Sequence, residues 1–407
     1  MKEWLRKIDF LREEDEKPEN QFTLSEFSGS VGDLGTLLPL AFALIVFNGF
    51  SSAIIFFLFG VIYLLTGWFY RVPVSVQPLK AMSVIAIGQG FSPEFLAGTS
   101  VLYGLLMAFL ALTGLIRWLQ NWFTPALVRG IQFGIGLILT QKALELVWQK
   151  GILLHLDNSS LSLGFLLLAL FLAIIWWFQV KKDLPAALIM IFLSILFIAI
   201  WGPAPPIREG QHLSLKLYLP DFSIWKEALI FLIIPQLPLT LGNAVYAAND
   251  SCHTLWGKQA QRVTPTRLAF SIGLSDVLIG LFKGFPVCHG AGGMGAHAQF
   301  GARTGGATMI IGAVLVISAL IPALNQFIFL IPVPLLAAML IFDSYRMMIM
   351  VRRLEGWQPL FVALLVGGIS FLTRNLTIAL VAGFLTERLL KLMINKSTKT
   401  VIGAEND

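Results

Sequence analysis

Over 407 residues the chain is 57% hydrophobic and only 13% charged, with a mean hydropathy of +0.79. That balance excludes a soluble globular domain and reads as a polytopic membrane protein. A formal net charge of +6 would suit an acidic partner, but the basic residues sort by loop. Arg71, Arg117, Lys181, Lys182, Lys258, Arg262, Arg352 and Arg353 fall on the cytoplasmic side once the N-terminus is placed there, so the excess is topological and no nucleic-acid partner is expected. Two cysteines, Cys252 and Cys288, exclude a disulfide scaffold. Each stands beside a histidine, yet two such pairs far apart read as buried small residues, and neither a metal nor a cofactor is expected.

In chain order, residues 1–24 mix charges of both signs and lack the apolar core and cleavage site of a signal peptide, so they are expected to stay attached as a cytoplasmic tail. The first apolar segment, about 27–48, carries Asp33 between Gly32 and Gly35, where a carboxylate must face the bundle or water rather than lipid. Segments follow at about 52–70, 72–88, 95–116, 126–148, 162–179 and 184–201. A Pro- and Gly-rich connection over 203–222 then reads as a hinge between two halves. The second half holds segments at about 225–247, 266–282, 285–305, 306–324, 333–350, 357–372 and 376–391. Asp276 lies on the ninth segment, and Asp343 and Arg346, three apart on the twelfth, are expected to pair. The expected architecture is thus all-α, about 14 transmembrane segments in one membrane domain over 25–395. Its repeats span about 25–202 and 222–395, and a cytoplasmic tail of 396–407 follows.

Two of these segments are interrupted. The stretch Phe285 to Gly306, FPVCHGAGGMGAHAQFGARTGG, contains seven glycines and a proline, so a continuous helix is not expected there. Irregular backbone at membrane depth is tolerated only when buried in protein or lining a polar cavity. Pro286-Val287 reads as an extended lead-in, Cys288 to Gly293 as a bend (Cys288, His289, Gly290, Ala291, Gly292, Gly293), and Met294 as the start of a short helix. Its first N–H groups and macrodipole would make an anion seat; the competing reading is close helix packing through small residues. Residues 72–82, VPVSVQPLKAM, answer it with Pro73-Val74 and with Pro78 at the first turn of a second short helix. Broken segments in corresponding places of two halves point to a transporter site on an internal repeat.

On segment eight, Gln236, Thr240 and Asn243 stand at i, i+4 and i+7 and are expected to share one inward face. Ser75, Gln77 and Lys80 surround the first bend. Lys80 either contacts substrate directly or pairs with Asp33, Asp276 or another carboxylate; those two aspartates are candidates for a coupling or structural ion pair. No Ser-His-Asp set or H-E-x-x-H motif is present, so an intramembrane enzyme is not expected.

The runs GDLGTLLPL at 32–40, VPVSVQPLKAM at 72–82, PQLPLTLGNAV at 235–245 and PVCHGAGGMGAHAQFGARTGG at 286–306 resemble the signature stretches of the molybdate transporter family within the sulfate-permease superfamily. The resemblance implies a uracil-permease-like fold of seven plus seven inverted repeats. Core and gate domains face each other in it, and the third and tenth segments are half-helices meeting near the midplane. It implies alternating-access transport of molybdate, a tetrahedral dianion. The substrate would sit between the half-helix N-termini, among Ser75, Gln77, Lys80, Gln236, Thr240, Asn243 and Cys288 to Gly293. Amides, hydroxyls and helix ends suit such an ion because they offset its charge without themselves being ionised. Sulfate and tungstate share its charge and shape and stay open, as does a homodimer. A nucleobase permease is disfavoured by Gln236 where such carriers place an acid, and a channel by the paired broken helices. The expected location is the inner (plasma) membrane, in contact with lipid, with both termini cytoplasmic.

Overall fold

The computed structural model describes residues 19–120, 122–152, 161–181, 213–322 and 331–404, with isolated positions 192, 193, 196 and 324. The tail as far as residue 18, nearly all of the seventh expected segment and the first half of the expected hinge lie outside the described residues. A hydroxyl residue followed by proline opens three of the helices. Ser92, Thr124 and Thr264 accept from the N–H groups of Phe95, Leu127 and Arg267, and the proline after each sits in the first turn, where a missing N–H is no loss. These helices are α4 (Pro93–Thr113), α5 (Pro125–Lys150) and α8 (Pro265–Leu281). Before them come α1 (Leu24–Asn48, with a 3-10 turn at Val31–Asp33), α2 (Ser52–Tyr70) and the short α3 (Lys80–Gln89). Between α5 and α8 lie α6 (Leu161–Lys181) and α7 (Trp225–Arg262). The chain continues through the short α9 (Ala291–Gln299), then α10 (Gly306–Leu320), α11 (Val333–Met348), α12 (Trp357–Thr373) and α13 (Leu376–Ala404). Among the described residues, five helices are long and apolar enough to cross a membrane: α1, α2, α4, α7 and α11 with the 3-10 turn that follows it.

Segment eight differs from its expected form. It runs on from Trp225 to Arg262 as one helix and passes through two π segments, Ala228–Ile233 and Thr240–Tyr246, on either side of Pro235 and Pro238. Proline brings no N–H to the ladder, so the helix around it re-pairs at wider spacing; the N–H of Thr240 reaches both Gln236 and Leu237 oxygens. The wider turn moves Asn243 off the face that holds Gln236 and Thr240. Both of those are buried at 2% and 0%, while Asn243 is only half-buried.

The helices pack as two groups. In one, α2 lies along α10, α4 lies along α8, and α7 packs on α9. In the other, α5 is flanked by α11 and α12, α6 packs on α11, and α13 on α12. The groups meet where α3 and α7 touch α5 and where α1 touches α11. Glycines set the closest approaches in the first group. A methyl on Gly60 of α2 would lie 2.7 Å from the Gly312 oxygen of α10, and one on Gly312 would lie 2.7 Å from that of Gly60. Gly104 of α4 and Gly273 of α8 block each other in the same reciprocal way, at 2.6 and 2.7 Å. Backbones in contact at these crossings hold α2 to α10 and α4 to α8 as two tight pairs.

Candidate substrate-binding site

Both interrupted stretches become a short strand followed by a half-helix. β1 (Gln77–Pro78) pairs antiparallel with β2 (Val287–Cys288), in the register Gln77 to Cys288 and Pro78 to Val287. The Leu79 N–H adds a bond to the Pro286 oxygen at 3.0 Å. Because the strands are antiparallel, α3 and α9 start side by side and leave in opposite directions. Two expectations about boundaries are corrected here. Pro78 belongs to the strand rather than to the first helical turn, and α9 begins at Ala291, not Met294, because Gly290 takes the N-cap in extended conformation. Gly292 and Gly293 are therefore first-turn residues.

Each half-helix is tied at its ends. Asn48 donates to the oxygens of Ala86 (2.8 Å) and Phe91 (2.9 Å), closing the C-terminal end of α3. At the other end the Gln236 Oε1 accepts from the Met82 N–H at 3.1 Å, and its Nε2 donates at 3.0 Å to Thr240 Oγ1, which also receives the Tyr103 hydroxyl at 2.5 Å. Gln236 and Thr240 thus cap α3 from α7. Gly290 O receives the N–H groups of Gly293 (3.1 Å) and Met294 (3.4 Å). By helix geometry the N–H groups of Lys80 and Ala81, and of Ala291 and Gly292, remain as orphan donors at the two facing starts.

Beneath this pair the polar residues bind one another. Asp33, fully buried, accepts the Tyr63 hydroxyl at 2.5 Å and the Gln77 amide, and His297 Nε2 of α9 lies 4.0 Å from its Oδ2. His297 Nδ1 bonds the Gly29 oxygen at 2.8 Å. One carboxylate therefore ties α1, α2, β1 and α9 together, its burial offset by charge-assisted bonds. Ser75 donates to Gly290 O at 2.7 Å. His289 is held on both nitrogens, by the Ser75 oxygen at 2.9 Å and by Ser271 Oγ at 2.8 Å, which in turn bonds Tyr70 at 2.7 Å. Asp276, also fully buried, accepts the Val287 N–H at 2.7 Å and so anchors β2 to α8.

Of the residues expected around an anion, Ser75, Gln77, His289, Gln236 and Thr240 thus bond neighbouring protein groups, Cys288 is buried in the ribbon, and Asn243 stands aside. Gly292, Ala291 and Lys80 keep exposure; a methyl on Gly292 would meet nothing within 4 Å. Lys80 pairs with neither Asp33 nor Asp276. Its Nζ lies 3.9 Å from Asp343 Oδ1 of α11, and Asp343 faces Lys80 in place of the expected Arg346. The sequence reading did not single out Tyr63, Tyr103, His297 or Glu26, whose Oε1 accepts the N–H groups of Arg303 (3.0 Å) and Thr304 (2.8 Å) just after α9. A lone tyrosine or histidine in an otherwise apolar or glycine-rich run was the available signal.

The sequence profile described as "Molybdate transporter of MFS superfamily" matches residues 25–139 and 228–347, which include both half-helices. The chain belongs to the molybdate transporter family. It is similar to Molybdate transporter 1 of Arabidopsis thaliana, 27% identical over 403 residues covering 88% of this chain and 86% of that one. In structure it is similar to the transmembrane domain of the cyanobacterial bicarbonate transporter BicA. The TM-score there is 0.67 with 17% identity, covering 88% of this chain and 97% of that one. It is also similar to murine Slc26a9, an anion transporter in the inward-facing state, with a TM-score of 0.66 and 14% identity, covering 96% and 70%. Those two likenesses give the family member its fold, and its family together with its long apolar helices makes it an integral membrane protein.

Proposed function

We propose that the protein carries molybdate across the membrane by alternating access, holding the dianion between the starts of α3 and α9. The observation that carries the reading is the antiparallel β1–β2 pairing. It brings two half-helix N-termini together with the orphan N–H groups of Lys80, Ala81, Ala291 and Gly292, beside the Lys80 ammonium. Each N-terminus offers about half a unit of positive charge, and none of these amides has to be ionised to meet an oxyanion. The family's transporters support molybdate as the substrate. Ser75, Gln77, Gln236, Thr240 and His289 act on this reading as the scaffold that aims the donors, with Asp33 and Asp276 as structural anchors.

The pairing of α2 with α10 and α4 with α8, and of α5 with α12 and α6 with α11, supports two inverted repeats over about 25–202 and 222–395. The two helix groups correspond to core and gate domains. The basic loops support an inner (plasma) membrane protein with both termini cytoplasmic. The test is uptake of radiolabelled molybdate into proteoliposomes with sulfate in excess as competitor. Saturable uptake that sulfate leaves largely intact is the expected result. Uptake abolished by sulfate would make the protein a general dianion carrier, and no uptake of either ion would overturn the reading.

A further inference from the structure

Lys80 heads the half-helix α3, while Asp343 belongs to α11 in the facing group, so the pair bridges the two helix groups beside the seat. Their separation of 3.9 Å exceeds the roughly 2.7–2.9 Å of a charge-assisted hydrogen bond; the ammonium is held by charge without being fixed in place. Asp343 depends on it more than it depends on Asp343. The aspartate side chain is 5% exposed against 24% for the lysine, its Oδ2 has no hydrogen-bond partner, and Lys80 is the one cation within ion-pair distance among the described residues. A buried carboxylate stripped of its counter-charge is costly, whereas a lysine on a flexible four-carbon stem can turn to another anion.

Resting on the molybdate reading, we infer that Asp343 is the counter-ion of Lys80 in the substrate-free protein and yields it to the arriving dianion. Anion and carboxylate compete for one ammonium. Binding therefore costs the Lys80–Asp343 bridge, and that cost loosens the contact between α3 and α11. A ligand can shift a conformational equilibrium only through an interaction that differs between the states; exchange of Lys80 between Asp343 and substrate is such a difference. Asp343 is thus a positioning residue that gives up affinity to link binding with movement.

The test uses the full chain, with molybdate binding measured by calorimetry in detergent and uptake in proteoliposomes. Asp343→Asn should bind molybdate about threefold or more tighter, because a competing charge is gone, while its maximal uptake rate falls. Lys80→Gln should lose about tenfold or more in affinity. The double variant should bind as weakly as Lys80→Gln alone, since Asp343 acts only through Lys80. Asp343→Glu should keep an affinity near the parent's, and Asp343→Ser serves as a second removal of the charge if the Asn variant does not fold. Unchanged or weaker binding by both neutral variants, or additive effects in the double variant, would overturn the inference. A parent that binds no molybdate at all would instead sink the proposed function.

Discussion

Gly292 and Gly293 adjoin in sequence and differ in what a methyl would meet. At Gly292 there is open space within 4 Å; at Gly293 a methyl would run into Asp33, the Gln77 amide and the Ser75 Cβ, the last at 2.6 Å. Gly292→Ala should therefore leave the melting temperature in detergent close to the parent's while it obstructs the oxyanion's approach to the N–H donors. Affinity for molybdate should fall by about tenfold or more, the loss of a hydrogen bond to a charged group being worth about 1.5–3 kcal/mol. Gly293→Ala should melt early with or without ligand. Added molybdate should raise the melting temperature of the parent and not of Gly292→Ala, because a ligand stabilises only what it binds. A Gly292→Ala protein that molybdate still protects would move the seat elsewhere. That the run held a bend and a helix start could be read from its glycines. Which glycine faces the opening could not, because the neighbours of Gly293 come from residues 33, 75 and 77, far off in sequence.

Helix α7 shows where reading by periodicity stops at the scale of an element. Pro235 and Pro238 stand in the sequence, but their consequence, π segments on either side, altered the turn spacing that would have kept Asn243 in line with Gln236. The half-helices were legible because local chemistry determines them; the caps Ser92, Thr124 and Thr264 are equally local, a hydroxyl residue just before a proline, but the sequence reading did not name them. Partners such as Gln236 with Met82, 154 residues apart, were not legible. Capping gives Gln236 a measurable signature. Gln236→Ala leaves the Met82 N–H buried without an acceptor, at a cost of about 1–3 kcal/mol, and frees the start of α3 to shift. The variant should melt below the parent even without ligand and should also bind molybdate less tightly. Thr113→Ala, which removes an exposed hydroxyl bonded only to carbonyls of its own helix, should change neither. A Gln236→Ala protein with parental melting and lost binding would make the glutamine a direct substrate contact instead of a cap.

At the scale of the whole molecule, the two helix groups touch through few elements, and α3 against α5 is one of these contacts. The reciprocal crossings Gly60–Gly312 and Gly104–Gly273 leave no room for sliding within the pairs α2–α10 and α4–α8, so relative motion is expected between the groups instead. Gly88 near the end of α3 faces Ile138 of α5, where a Cβ on the glycine would sit 3.7 Å from the isoleucine Cγ2. A Cβ at 88 thus reaches a γ atom of residue 138 in van der Waals contact, close enough for thiols at the two positions to be tested for a bond, and the native Cys252 and Cys288 are buried and free, out of easy reach of a mild oxidant. The double variant Gly88→Cys, Ile138→Cys should form a bond under such an oxidant. Once linked, it should stop molybdate uptake while still binding the ion in detergent, and a reductant should restore uptake. The linkage pins α3 to α5 without touching the donors of Ala291 or Gly292, so binding and movement separate in one protein. Uptake that continues in the fully linked protein would mean that α3 and α5 travel together, and the moving boundary would then have to lie at another contact between the groups, such as α1 against α11.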